Sequence, residues 1–265
     1  MSVLVSVILP SFKRGALLDL GLYSLTKQRT SFDFEIVVLN DGVEDDTESV
    51  CKKYSNVRYF FTGQRNAEDK SVWRVPGFAI NIGVKQVKGD VIVLSCPEIW
   101  HLTENSLEFA VTALEPKTLV FPRTIFFDDE NMILPYLLNQ SSPLLEVPKQ
   151  LLEASSSILK KNSNAYTMPF FMTLHKQSFM DIGGYDERFT GVCCDDNDLV
   201  DRLRLSHKRL FLPSFSILHL YHTPVTGIIN EFNEFSKEYT YNYVLWQNGR
   251  GGTPIRNAGR EWGVL

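Results

Sequence analysis

The chain has 265 residues, 44% of them hydrophobic, which is enough for a sizeable core in one large α/β domain or in a domain plus a small appendage. Its 27 basic and 31 acidic residues give a net charge of −4 and a pI near 5.8, so no overall field draws it to nucleic acid or to an anionic membrane. Four cysteines, two of them adjacent, fit neither a disulfide framework nor a paired metal motif, and no run of about 18 apolar residues or basic leader is present, so the reading is a cytoplasmic protein with reduced thiols and no transmembrane segment.

Val3 to Leu9 predicts a buried strand, with Pro10-Ser11-Phe12-Lys13-Arg14-Gly15 as its exit loop. Leucines at 17, 18, 20, 22 and 25 predict a helix over 16–28 packed on that strand. A second strand over 34–39 ends in Asn40-Asp41-Gly42, Asp45-Asp46-Thr47 caps a helix running to about 54, and a third strand covers 57–61. Strands alternating with helices, with polar residues gathered at strand ends, imply a parallel, doubly wound sheet. The polar loop over 63–77 carries Arg65 and Arg74, whose guanidinium forks suit a diphosphate but are equally at home on a solvated loop.

A helix over 78–87 delivers the chain to the central strand, Val91 to Leu94, whose continuous apolar run suits burial on both faces. Beyond it comes Cys96-Pro97-Glu98-Ile99-Trp100-His101, a carboxylate and an imidazole three residues apart at the strand end where open α/β sheets bind ligands. The bland alternative is that Pro97 ends the strand and Glu98 points to solvent. A helix over 103–114, a strand over 118–127, an excursion over 128–164 with an amphipathic helix near 148–160, a strand over 169–174 and a short helix over 175–181 follow. Asp195, Asp196 and Asp198 then open a helix, where acids suit the positive dipole end. Three carboxylates so close also repel one another and raise the proton affinity of at least one, the property of a general base. A strand over 209–218 leads to His219 and His222, either metal ligands or ordinary hydrogen-bonded histidines. The glycine-rich tail over 248–265 carries Arg250, Arg256, Arg260 and Trp262, and reads as a flexible lid over an anionic ligand or as a frayed end.

Five pieces in this order, Ser6 to Arg14, Glu35 to Gly42, Gly83 with Gly89-Asp90, Gly183 to Phe189 and Asp195 to Leu199, resemble the family 2 glycosyltransferases of the GT-A fold. The resemblance spans residues 3–224. It implies a mostly parallel, doubly wound sheet flanked by helices, with a nucleotide-sugar-binding half over 1–128, an acceptor and catalytic half over 129–224, and a C-terminal helix and flexible tail over 225–265. Carried over, it places Pro10, Phe12 and Arg14 around the nucleobase and ribose and makes Asp41 an acceptor for the base. Ala79-Ile80-Asn81 stands where the family has Ala-Arg-Asn, so Asn81 is kept while Arg65 or Arg74 must meet the diphosphate. The family's Asp-x-Asp falls on Cys96-Pro97-Glu98, in which Glu98 retains a hard oxygen donor for Mn2+ or Mg2+. Together with Trp73-Arg74-Val75-Pro76 and His101 this is similar to a subset that carries Asn-Pro-Glu with a nearby histidine. His219, and after it His222, would complete the metal site, and Asp196 or Asp195 would be the base.

The expected activity is therefore transfer of a sugar from a nucleoside diphosphate sugar to an acceptor hydroxyl, inverting and metal-dependent, in glycan or capsule synthesis. A phage-type enzyme acting on a modified DNA base is one alternative, and the acidic pI counts against it. A nucleotide-sugar or glycan binding module without turnover is another, motivated by the missing Asp-x-Asp and opposed by the acidic cluster.

Overall fold

The structure is a computed structural model that describes residues 4–63, 75–126, 168–191, 193–222 and 237–265. Arg65, Arg74 and the helix expected near 148–160 lie outside the described residues. Strands β1 (Leu4–Ser11), β2 (Asp33–Asn40), β3 (Val57–Phe61) and β4 (Val91–Ser95) run parallel in the order β3-β2-β1-β4. Their side chains alternate between faces, so two cores form. Val5, Val7 and Leu9 pack with Leu18, Leu22 and Leu25 of α1 (Gly15–Thr26) on one side, joined by Val50 of α2 (Thr47–Cys51). Ile8, Val37, Leu39, Ile92 and Leu94 meet Ala79 and Ile82 of α3 (Pro76–Gln86) on the other.

The remaining strands are β5 (Ile99–His101), β6 (Thr118–Phe126), β7 (Phe171–His175) and β8 (Lys208–His219), which extend the sheet as β4-β7-β6-β8-β5. Here β7 is antiparallel to β4 and β6, β8 parallel to β6, and β5 antiparallel to β8, so the sheet is mixed. Only Cys96, Pro97 and Glu98 separate β4 from β5, although three strands lie between them in the sheet. Three residues reach about 10 Å. The sheet must therefore curl until its last strand returns beside the carboxyl end of β4.

Helix α1 clasps this junction. At Gly21 a Cβ would strike the Pro97 carbonyl oxygen. Ser24 Oγ accepts the His101 N–H at 3.0 Å, and Gln28 donates to the Thr103 carbonyl at 2.6 Å while accepting from Leu107 N–H at 3.0 Å in α4 (Ser106–Thr112). His101 lies fully buried with Nδ1 2.6 Å from Ser106 Oγ, and burial pushes its pKa down to about 3. The expected pairing of Glu98 with His101 at one ligand edge is thereby corrected, because the turn at Pro97 and Glu98 sends the two side chains apart, His101 to Ser106 and Glu98 to Arg14.

The second half adds α5 (Lys176–Asp181), α6 (Asp195–Leu203) and α7 (Lys237–Gly249). The glycine-rich tail that follows is packed down. Trp262 lies against the α3-side core, its ring 6.5 Å from that of Phe179 and its face 4.2 Å from Lys85 Nζ. Arg256 is buried between Asp198 at 3.1 Å and Asp186 at 3.3 Å, Arg260 stands 3.8 Å from Asp186, and Arg250 3.5 Å from Asp201. These arginines neutralise carboxylates of the chain itself, which corrects the expectation of a lid aimed at a diphosphate. Among the described residues no helix is long and apolar enough to cross a membrane.

Two substitutions test this architecture by urea denaturation. Gly21→Ala is expected to cost about 1–3 kcal/mol, because the new methyl group forces α1 off Pro97. Arg256→Ala is expected to cost up to about 3–5 kcal/mol, since it strips a partner from two buried carboxylates. Midpoints equal to the parent's would contradict both clasps.

Candidate active site

The β5–β8 ladder pairs Ile99 with His219, and Leu220 N–H donates to the Glu98 carbonyl at 2.8 Å. Glu98 is thus set beside the carboxyl end of β8. Its carboxylate is 4% exposed, is paired with Arg14 at the start of α1, and lies 3.7 Å from Nε2 of His222. Burial disfavours the charge, but the Arg14 guanidinium, with His219 and His222 behind it, outweighs burial and holds the carboxyl below its usual range. The His219 ring sits 5.1 Å from that of Phe126 and 5.0 Å from that of Phe170. Burial pushes its pKa down to about 4, which leaves a neutral imidazole at neutral pH. Cys96 Sγ faces the Phe170 carbonyl at 3.8 Å, and burial followed by the Glu98 charge pushes the thiol up.

Ligand atoms of Cys96, Glu98 and His219 lie within 4.8 Å of one another. A carboxylate oxygen and a neutral imidazole nitrogen suit Mn2+ or Mg2+, whereas a protonated thiol is a donor that hard cations do not select. The donor set that fits a divalent ion is therefore Glu98 and His219, with His222 adjacent.

Pro10 and Phe12 stand at the carboxyl end of β1, and Asp41 lies just past β2. Asp41 is buried, accepts from Thr62 Oγ1 at 2.6 Å, and donates its N–H to Ser11 at 2.8 Å. Asp45 binds Lys13 N–H at 2.7 Å, Asn40 Nδ2 at 3.0 Å and Thr47 N–H at 2.9 Å, so it ties the exits of β1 and β2 together and supplies the start of α2. Arg14, expected near the nucleobase, pairs instead with Glu98. Asn81, expected at the nucleotide, is fully buried, with Oδ1 accepting Tyr185 N–H at 2.8 Å and Nδ2 donating to the Tyr185 carbonyl at 2.9 Å and to Glu187 at 3.0 Å. Its amide is consumed in shaping the acidic loop, which corrects that assignment.

The loop turns at Gly183 and Gly184, whose φ angles of +72° and +67° suit glycine, and a Cβ on Gly183 would strike the Arg256 carbonyl. Tyr185 follows, fully buried against Gly77, and its Oη donates to Asp196 Oδ1 at 2.8 Å. Burial pushes Asp196 up to about 6 against this hydrogen bond, while burial and the Asp196 charge push the deeper Asp195 well above the aspartate range. Asp196 is half-buried, and its charge contributes to raising the Cys96 thiol. Sequence reading missed Tyr185 and the Arg14–Glu98 pair. The tyrosine had a signal, its place in Gly183-Gly184-Tyr185; the pair, 84 residues apart, had none.

The curled mixed sheet is matched by solved structures. The fold is that of the GT-A glycosyltransferases. One is the Staphylococcus aureus TarS fragment in complex with UDP-GlcNAc, 16% identical, with a TM-score of 0.58 over 92% of this chain and 66% of that one. Another is a Pyrobaculum calidifontis mannosyltransferase in complex with GDP-Man and Mn2+, 14% identical, with a TM-score of 0.54 over 84% of this chain and 58% of that one. Residues 6–131 match the family model for glycosyl transferase family 2, and residues 155–224 that for the N-terminal domain of galactosyltransferase. A Pasteurella multocida chondroitin synthase is 24% identical over 170 residues, 60% of this chain and 16% of its own length. The chain thus spans about a sixth of the length of that curated relative and of the hyaluronan synthase it also matches.

The raised Asp196 sets a pH dependence. Its folded-state pKa lies above the ordinary aspartate value, so its contribution to stability is full below about pH 4 and is lost as pH rises through about 6. Asp196→Asn should match the parent at pH 4 and exceed it by about 1–3 kcal/mol at pH 7, as read from urea denaturation across that range. Parallel curves would show that Asp196 titrates normally.

Proposed function

We propose that this chain holds the active site of a nucleotide-sugar-dependent glycosyltransferase that moves a sugar onto an acceptor hydroxyl with inversion. The observations that support the proposal are the Glu98 and His219 donor pair and, separately, Asp196, a carboxyl raised to about 6 whose charge is felt at Cys96. Such a group is ionised at neutral pH yet basic enough to take a proton, and a mere binding module has no use for it. Pro10, Phe12 and Asp41, at the carboxyl edge of β1 and β2, would receive the nucleobase and ribose, in line with the UDP-GlcNAc and GDP-Man carried by the structural neighbours. Arg65 and Arg74 are assigned to the diphosphate from their sequence position.

Glu98 and His219, with His222 beside them, would hold a Mn2+ or Mg2+ ion, which when bound supplies positive charge to the departing diphosphate. Arg14 already balances Glu98 and stays within reach of the same anionic region. Asp196 accepts the acceptor's proton while Tyr185 Oη keeps its other oxygen oriented. The matches to chondroitin and hyaluronan synthases favour a glycan acceptor. We place the nucleotide half over 1–128, the acceptor half over 129–224, and the reaction in the cytoplasm.

Incubation with a panel of UDP- and GDP-sugars, Mn2+ and oligosaccharide acceptors should release nucleoside diphosphate. In that assay Asp196→Asn should lower turnover by about 10²–10⁴ with donor affinity unchanged, and Glu98→Gln should weaken metal and donor binding together. Absence of diphosphate release with every donor, despite donor binding, would replace the enzyme by a binding module.

A further inference from the structure

The two adjacent cysteines have no part in the reaction above, yet they stand immediately before Asp195 and Asp196. Their Sγ atoms are 3.4 Å apart. Both backbones are left-handed, with φ of +77° at Cys193 and +68° at Cys194, a conformation that side chains other than glycine seldom adopt in succession. The surroundings hold this arrangement from both ends. Upstream, the buried Asn242 of α7 accepts Thr190 N–H at 3.2 Å and donates to the carbonyls of Thr190 at 2.5 Å and Cys193 at 3.3 Å. Downstream, the Cys194 carbonyl accepts Asp198 N–H at 2.9 Å and so starts α6. Cys194 packs with Val75 and Phe189, and Cys193 beside them is half-buried and reachable.

We propose that Cys193 and Cys194 form a redox-sensitive thiol pair that peroxide closes into a vicinal disulfide, and that closure slows sugar transfer by turning the start of α6. The second half rests on the function proposed above. Either sulfur can donate across this contact; with Cys193 as the donor, the hydrogen bond pulls the Cys194 pKa down and makes Cys194 the attacking thiolate. Cys194 sulfur attacks one peroxide oxygen, the O–O bond breaks, and a sulfenic acid and one water result. Cys193 sulfur then attacks the Cys194 sulfur, the S–S bond forms, and its hydroxyl leaves as a second water. Two thiols and one peroxide thus give one disulfide and two waters. The bond needs about 2.05 Å between sulfurs, so the pair must close by more than 1 Å from 3.4 Å. The ring encloses the peptide unit between the two cysteines, so closure turns the Cys193 carbonyl away from Asn242 and carries with it the Cys194 Cα, from which the two catalytic candidates directly follow.

The full chain is treated with hydrogen peroxide, blocked with N-ethylmaleimide and digested with trypsin. Cleavage after Arg188 and Arg202 isolates the peptide 189–202, which contains Cys193 and Cys194 and neither Cys51 nor Cys96. The expected peptide is unalkylated, two hydrogens lighter than the dithiol, and restored by dithiothreitol. A doubly alkylated peptide, or one carrying only sulfinic or sulfonic acid, would overturn the ring. In the transfer assay the oxidised parent should lose turnover at unchanged donor affinity and recover on reduction, whereas Cys193→Ser and Cys194→Ser keep basal turnover and ignore peroxide. A ring that forms without loss of turnover would overturn its regulatory role. Ring formation is read by mass, so it stands or falls apart from the transferase assay.

Discussion

One buried carboxylate, Glu98, joins the two halves of the molecule. An unpaired carboxylate at that depth would protonate rather than stay charged. Attraction between unit charges at contact, about 4 kcal/mol at an effective dielectric of 20, is what keeps it ionised, and the opposite charge arrives from far along the chain. It is the guanidinium of Arg14, from the exit of β1, and beside it the imidazoles of His219 and His222 arrive from the end of β8. These groups meet only because the sheet curls until β5 pairs with β8. The curl and the charge cluster therefore depend on each other, and α1, closely packed through Gly21, fixes both by holding Pro97 and His101.

A second buried ionic set does the same for the acidic loop. Asp198 is bound by Arg202 at 2.6 Å and by Arg256 at 3.1 Å, and Arg256 also reaches Asp186. Two amides then grip one turn: Asn81 bonds the N–H and carbonyl of Tyr185, and Asn257 donates to the carbonyls of Gly183 at 2.8 Å and Tyr185 at 2.7 Å. With its backbone pinned from α3 and from the tail, Tyr185 can aim its hydroxyl at Asp196 alone. The position of the candidate base is thus inherited from residues 81, 256 and 257, none of which touches it.

Sequence reading worked where physics is local. Buried strands β1, β2 and β4 announce themselves by apolar runs, and the acidic loop by glycines and aspartates within one contiguous stretch. It failed where the deciding partner is distant. Three residues carry no period, so β5 was invisible, and without β5 the pairing of Glu98 with His101 looked reasonable. The antiparallel direction of β7 is equally absent from its own composition, because a strand buried on both faces reads the same in either direction. The tail shows the limit most plainly. Its arginines suit a ligand's phosphates or the protein's own carboxylates, and composition does not separate the two. Asp186 and Asp198 decide the matter, and they lie dozens of residues upstream.

The same electrostatics accounts for the form of the donor motif. Where the resemblance to family 2 glycosyltransferases leads one to expect an aspartate, this chain has Cys96, half-buried beside Glu98 and close enough for the two to interact. A second carboxylate there would share one guanidinium with Glu98, and repulsion would drive one of the two to protonate. A neutral thiol fills the space, offers its hydrogen to the Phe170 carbonyl, and leaves Arg14 to balance a single negative charge. The extra methylene of glutamate over aspartate complements this arrangement, because it carries the carboxylate from the β4–β5 junction toward Arg14, His219 and His222. A thiol at 96 and a glutamate at 98 then act together: Glu98 is balanced by Arg14 beside two imidazoles, and the imidazole of His219 stays neutral and able to donate its lone pair.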